Sequence, residues 1–189
     1  MPKADSIGEA RITLITSAGA ERALAIIIPS PGQATINGAN NVAIGSNVLD
    51  SNLGGSDNVG VGYMALDDNT TGYDNIAIGR DALGDNIGGF MNHAIGRNCM
   101  RLNTTGVANV AIGRSTMYTN TTGSNHTAVG YNALYFNTTG TENTAYGMDA
   151  LKANTTGTQN SALGSASLDA ATTGSYNTGI GYVALRYNT

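Results

Sequence analysis

Large apolar residues recur along most of this chain at a fixed interval rather than in helical or alternating runs. One column reads Leu49, Leu66, Leu83, Met100, Met117, Leu134, Leu151, Leu168 and Leu185, a step of 17 residues each time. A second column with the same step reads Ile44, Val61, Ile78, Ile95, Ile112, Val129, Tyr146, Leu163 and Ile180. The residue before each member of the second column is small: Ala43, Gly60, Ala77, Ala94, Ala111, Ala128, Ala145, Ala162 and Gly179. Polar positions keep the same beat. Asn recurs from Asn41 to Asn177, with His126 in one place, and again from Asn52 to Asn188, with Ala171 in one place. Two glycine columns run from Gly45 to Gly181 and from Gly38 to Gly174. The unit is N-x-A-I-G-x-x-A-L-x-x-N-T-T-G-x-x, in nine copies without insertion or deletion.

A constant repeat length implies a constant physical step, as in a solenoid whose coils touch only their neighbours. Seventeen residues are too few for a pair of packed helices, which usually takes about 30 or more. The Asn-Thr-Thr-Gly turn signal and two glycines per unit also oppose helix. The pattern therefore predicts an all-β chain: a parallel β-solenoid (β-roll) of nine 17-residue coils, each with one or two short strands and tight turns. At about 4.8 Å per strand the stack is about 43 Å long. The glycines are expected at positive φ or where backbones approach closely, and the stacked Asn side chains are expected to hydrogen-bond as ladders.

Neighbouring residues of a strand face opposite sides. The small column and the Leu/Met column from Leu49 to Leu185 are expected to fill a thin coil interior. The column from Ile44 to Ile180 then forms an outward apolar stripe, and such a stripe on a rod marks an interface. About two large apolar residues per coil bury little against the entropy of ordering 17 residues. Side-by-side association of chains closes that gap.

Residues 1–36 stand outside the repeat in residues 37–189. Arg11 to Thr16 and Arg22 to Ile28 flank Ser17-Ala18-Gly19-Ala20 and read as a β-hairpin. An open solenoid edge recruits other strands unless it is covered, so this segment is expected to cap the first coil, dock the rod, or both. The final Tyr187-Asn188-Thr189 stop inside the turn motif, which suggests a piece of a longer fibre or an end covered by another protein.

Composition narrows the function. Glycine occurs 26 times without a three-residue period, and there are three prolines, so the chain is not collagen. A net charge of −4 with nine Lys and Arg gives no general nucleic-acid footprint. One cysteine excludes an internal disulfide. No apolar run approaches a membrane span, and the N-terminus does not read as a secretory signal.

Asn41-Val42-Ala43-Ile44-Gly45 and Asn109-Val110-Ala111-Ile112-Gly113 resemble the signature of YadA-type trimeric adhesin heads. Thr127 to Leu134, followed by Asn137-Thr138-Thr139-Gly140, resembles repeats of phage tail-fibre proteins. The resemblance covers residues 37–189. It implies a homotrimer of parallel β-rolls, left-handed in the adhesin heads, that projects from a surface and contacts a host. The adhesin repeat is shorter and lacks the Asn-Thr-Thr-Gly turn. With no export signal, coiled-coil stalk or anchor barrel read here, a virion fibre is favoured over a bacterial cell-surface adhesin or appendage subunit.

No catalytic or metal-ligating set and no cofactor is expected. His93 and His126 lie in different columns, His126 simply replacing a ladder Asn. Cys99 takes a small-residue position shared with Ala65, Ala82 and Ala133. Seven acids, Asp50, Asp57, Asp67, Asp68, Asp74, Asp81 and Asp85, gather in the early coils and read as a solvated face, without a calcium-loop pattern. The sequons at Asn69, Asn103, Asn120, Asn125, Asn137 and Asn154 read as turn chemistry. A further alternative is an ice- or glycan-binding solenoid; paired threonines such as Thr104/Thr105 suggest ice binding, but neighbouring strand residues point opposite ways. The best candidate contact for a host surface glycan is the column holding Tyr63, Arg80, Arg97, Arg114, Tyr131 and Tyr182. The expected protein is a non-enzymatic virion fibre. Its expected partners are its own copies, other virion structural proteins through residues 1–36, and a host glycan. Neither nucleic acid nor membrane insertion is expected.

Overall fold

The computed structural model describes residues 11–15, 23–27 and 38–187. They form one eleven-stranded sheet whose spatial order follows the chain. Strands β1 (Arg11–Ile15) and β2 (Ala23–Ile27) pair antiparallel, Arg11 opposite Ile27, and β2 then pairs in parallel with β3 (Val42–Gly45). The loop expected at residues 17–20 lies outside the described residues, as do the last two residues.

From β3 onward every strand is parallel to the one before. These are β4 (Val59–Val61), β5 (Ile76–Ile78), β6 (His93–Ile95), β7 (Val110–Ile112), β8 (Thr127–Val129), β9 (Thr144–Tyr146), β10 (Ser161–Leu163) and β11 (Thr178–Ile180). The register is strictly one repeat per coil: Ala43 faces Gly60, then Ala77, Ala94 and Ala111. Residues 38–187 are therefore a parallel β-solenoid.

Hydrogen bonds between coils run around the circumference, not only along the strands. Leu66 N–H donates to Ala82 O at 3.0 Å, and Asp68 N–H to Gly84 O at 2.9 Å. Within each coil the Asn-Thr-Thr-Gly corner closes with a short turn, Asn69 N–H donating to Leu66 O at 3.2 Å.

The interior is narrow. Ala43, Ala77, Ala94, Ala111, Ala128 and Ala145 are buried, as are Leu49, Leu66, Leu83, Met100, Met117, Leu134, Leu151 and Leu168. Leu185 differs from the expected interior position: it is 50% exposed, because no further coil stacks on it among the described residues.

Two asparagine ladders line the same interior. Along the first, Asn58 Nδ2 and backbone N–H both donate to Asn41 Oδ1, at 3.2 and 3.0 Å, and the pattern repeats at Asn75, Asn92 and Asn109. Along the second, Asn69 Nδ2 donates to Asn52 Oδ1 at 2.9 Å, and so on through Asn86, Asn103, Asn120, Asn137 and Asn154. The ladders meet at one carbonyl per coil. Gly72 O accepts from Asn58 Nδ2 at 2.9 Å and from Asn69 Nδ2 at 3.1 Å. A Cβ on Gly72 would lie 2.3 Å from Asn69 Oδ1 and 2.4 Å from Gly89 O, so this column is glycine for space. The other column, Gly45 to Gly181, is glycine for conformation as well, with φ between 118° and 139°.

Three further non-glycine columns adopt left-handed backbone; Asn and Asp announce it at several positions of the first two, and nothing in the sequence announces it in the third. They run from Asn40 to Tyr176, from Asn47 to Val183, and along the buried Leu/Met column from Leu49 to Leu185, with φ between 48° and 63°. Each such residue costs on the order of 1 kcal/mol, so the ladders and buried side chains must over-determine the turns.

This packing makes three stability predictions. Gly113→Ala puts a Cβ 2.6 Å from Gly130 O at a φ of 135° and should destabilise the fold by about 3 kcal/mol. Gly54→Ala meets no atom within 4 Å and should change stability by less than about 0.5 kcal/mol; denaturant unfolding of the pair checks both. The second ladder stops where Ala171 replaces Asn, leaving buried Asn154 Oδ1 without a partner among the described residues. Ala171→Asn should therefore stabilise by about 1 kcal/mol. An unchanged or lowered melting temperature would count against this account of the ladder.

Candidate functional site

Because alternate strand residues point outward, the sheet exposes a continuous apolar file. Ile44, Ile78 and Ile112 are each 39% exposed, Ile95 is 37% exposed, and Val61 and Val129 are half-buried. Tyr146, Leu163 and Ile180 continue the file with still more surface exposed. The neighbouring outward column changes along the rod. It is apolar at Val42, Val59, Ile76 and Val110, with His93 between, and hydroxyl-bearing at Thr127, Thr144, Ser161 and Thr178.

Just past the glycine that ends each strand lies the cationic and aromatic column. Arg80, Arg97 and Arg114 are exposed there, with Tyr63, Tyr131 and Tyr182. Its members are not equivalent. Arg80 covers the Tyr63 ring at 5.4 Å but also pairs with Asp81 at 3.2 Å. Arg114 covers the Tyr131 ring at 5.8 Å, and neither Arg97 nor Arg114 has a carboxylate within ion-pair distance among the described residues. Tyr182 is 82% exposed in the last described coil.

The acidic early coils are partly neutralised from within. Arg101 pairs with Asp85 and approaches Asp81 at 4.0 Å. Asp67 is pushed up to about 6, first by burial and then by the nearby carboxylates of Asp68 and Asp50. Among the described residues no three His, Cys, Asp or Glu side chains come together to hold a metal ion. No helix there is long and apolar enough to cross a membrane.

Cys99 is fully buried, its Sγ 3.2 Å from Ala111 O, and burial pushes its thiol up to about 12. The first threonine of each turn spends its hydroxyl on the next coil: Thr104, Thr121, Thr138 and Thr155 donate at 3.1 Å to the carbonyls of Thr121, Thr138, Thr155 and Thr172. That leaves only the second threonine column, including Thr105 and Thr122, as a free-standing exposed file.

His126 takes over the work of the ladder Asn it replaces. Its Nδ1 accepts from Asn143 N–H at 3.1 Å, in the role of an Asn oxygen. Its Nε2 lies 2.7 Å from Gly140 O, in the role of an Asn amide nitrogen, which assigns the proton to Nε2. Burial holds the ring down to about 4, against the two backbone hydrogen bonds that raise it.

No protein-family model matches the chain, and no curated protein or solved structure matches it. What the fold defines is the class, a parallel β-solenoid with a laddered interior and an outward apolar file.

The buried imidazole has a pH signature. In the unfolded chain it takes up a proton near the usual 6.5; in the fold it resists until about pH 4. Its contribution is therefore intact above about 6.5 and is lost progressively as pH falls towards 4, a difference of about 3 kcal/mol at the lower limit. His126→Asn should leave stability near pH 7.5 close to that of the parent and flatten the loss between pH 6.5 and 4.5. Unfolding free energies of the two proteins at both pH values test this. Parallel pH curves would show that His126 titrates normally.

Proposed function

We propose that this chain is a non-enzymatic structural fibre protein of a virion, a phage tail or capsid fibre, that associates as a homotrimer and holds a host-contacting surface away from the particle. The observation that carries this reading is the unbroken outward file from Ile44 to Ile180, whose isoleucines keep more than a third of their surface in water. A file of this kind on a rigid, evenly stepped rod fits burial against sister rods. The resemblance of the repeats to trimeric adhesin heads and phage fibre repeats points the same way. In this reading residues 1–36 dock the rod to other virion proteins, and the pairing of β2 with β3 gives that segment a firm purchase on the first coil. Repetition along the rod suits many weak contacts with a host surface, whose avidity multiplies without a single tight site.

Light scattering on the purified chain should give three times its 19.3 kDa. The double substitution Ile95→Asp with Ile112→Asp places two charges in the exposed file and should yield folded monomers with an unchanged circular dichroism spectrum. Gold-labelled antibody should decorate a fibre in micrographs of the parent particle. A monodisperse monomer in the parent protein, or label confined to a cell surface, overturns the corresponding half of the reading.

A further inference from the structure

Where the coils of β7, β8 and β9 meet on the outer surface they enclose an open groove of about 360 Å³. That is at the small end of the range for small-molecule clefts, about 300–1,000 Å³. Arg114 contributes from the first of these coils and Lys152 from the third, two strand spacings apart, roughly 10 Å. The middle coil supplies Tyr131, Tyr135 and Phe136 between them. The aromatic floor is fixed in place. Tyr135 stacks on Tyr118 with centroids 5.2 Å apart and meets Phe136 edge-on at 4.7 Å. Arg114 rests over Tyr131. Lys152 is held by Asp149 at 3.1 Å, and the same carboxylate oxygen accepts from Asn132 Nδ2 at 3.2 Å.

We propose that this groove binds a carboxylated pyranose, a uronic-acid type of sugar, with the carboxylate on Arg114 and the ring face on the aromatic floor. The proposal rests on the host-attachment reading above and deepens it by naming a ligand class. Arg114 is the groove's unneutralised cation, and its planar guanidinium matches a carboxylate in two parallel hydrogen bonds. A sugar's C–H face is apolar and flat enough to cover a tyrosine ring, while its hydroxyls need the donors and acceptors that Ser115 and Asn132 supply in the lining. Because the aromatics are already packed against one another, little side-chain entropy is lost on binding.

The arrangement disfavours a long polyanion. Nucleic acid needs a row of free cations along its backbone. Here Arg80 and Arg101 are committed to aspartates, and the early coils are acidic. The groove holds two cations, Arg114 and Lys152, and Lys152 is paired with Asp149, so it suits a single short anionic unit.

The test is ligand-observed NMR on the full chain with a glucuronate-containing disaccharide and its carboxyl-reduced, neutral analogue. The acidic sugar should bind in the millimolar range and the neutral one about tenfold more weakly, equivalent to about 1.4 kcal/mol. Arg114→Gln, an exposed change, should abolish the preference for the acidic sugar. Arg97→Gln, one coil away in the same column, should leave it intact. Equal binding of both sugars, equal effects of the two arginine substitutions, or tighter binding of a short oligothymidylate each overturn the proposal. Light scattering on the same samples separates the two readings. A trimer that ignores the sugar removes this groove and keeps the fibre, and a monomer that binds it removes the trimer and keeps the groove.

Discussion

One carbonyl per coil organises the solenoid. The oxygen of the turn glycine, Gly72 or Gly89 for example, accepts from both interior asparagine ladders at once. Its own coil must carry no Cβ there, since that atom would collide with the next glycine oxygen and with the ladder amides. The two Asn columns and the Gly column are thus a single device, and none can vary alone. A residue inserted anywhere in the coil would shift the carbonyl out of reach of one ladder. This accounts for nine copies of equal length. Where the device is altered, the alteration is legible. His126 preserves it by presenting one acceptor and one donor nitrogen, whereas Ala171 breaks it and strands the oxygen of Asn154.

The ladders also explain how so thin an interior is sustained. Buried amides are costly unless satisfied; here the ladder amides are satisfied by neighbouring coils and a glycine carbonyl, the oxygen of Asn154 excepted. Such networks hold the backbone to one geometry, and the strained left-handed columns need that constraint. The Leu/Met column shows the trade directly: Leu66 or Met100 sits at positive φ so that its side chain points inward beside the small residues. On the other side of the same short strands the large apolar residues from Ile44 to Ile180 are left facing outward.

Much of this was legible in the sequence because a repeat converts local ambiguity into columns. The short strands, the parallel order, the ladders and the small-in, large-out alternation at Ala43 and Ile44 all follow from period and strand geometry. Three features did not. Left-handed Leu and Met carry no compositional mark, since glycine and asparagine are the residues that usually advertise that conformation. The shared glycine carbonyl is a contact between positions 14 residues apart, as with Asn58 and Gly72, and one-dimensional spacing does not reveal it. Similarly, the Arg and Tyr column read as a uniform stripe, but Arg80 is tied to Asp81 while Arg114 opens onto a groove closed by Lys152 two coils away. A column lists what stacks; it does not say which neighbouring columns lean together.

A structure built from identical steps has difficulty making any one place special, and this chain does so by local departure from its own consensus. In the coil of β7 the small buried position is Thr116 rather than alanine, the ladder rung before β8 is His126, and the surface of the two coils carries Tyr118, Tyr135 and Phe136. Thr116 is accommodated because its hydroxyl donates to Gly130 O at 2.6 Å, and His126 because it imitates an amide. Both changes keep the interior ladder intact while the outside diverges. The separation is what the two-sided strand permits: inward residues answer to the next coil, and outward residues answer to whatever the rod meets. The aromatic and cationic positions can therefore change without disturbing the register between coils.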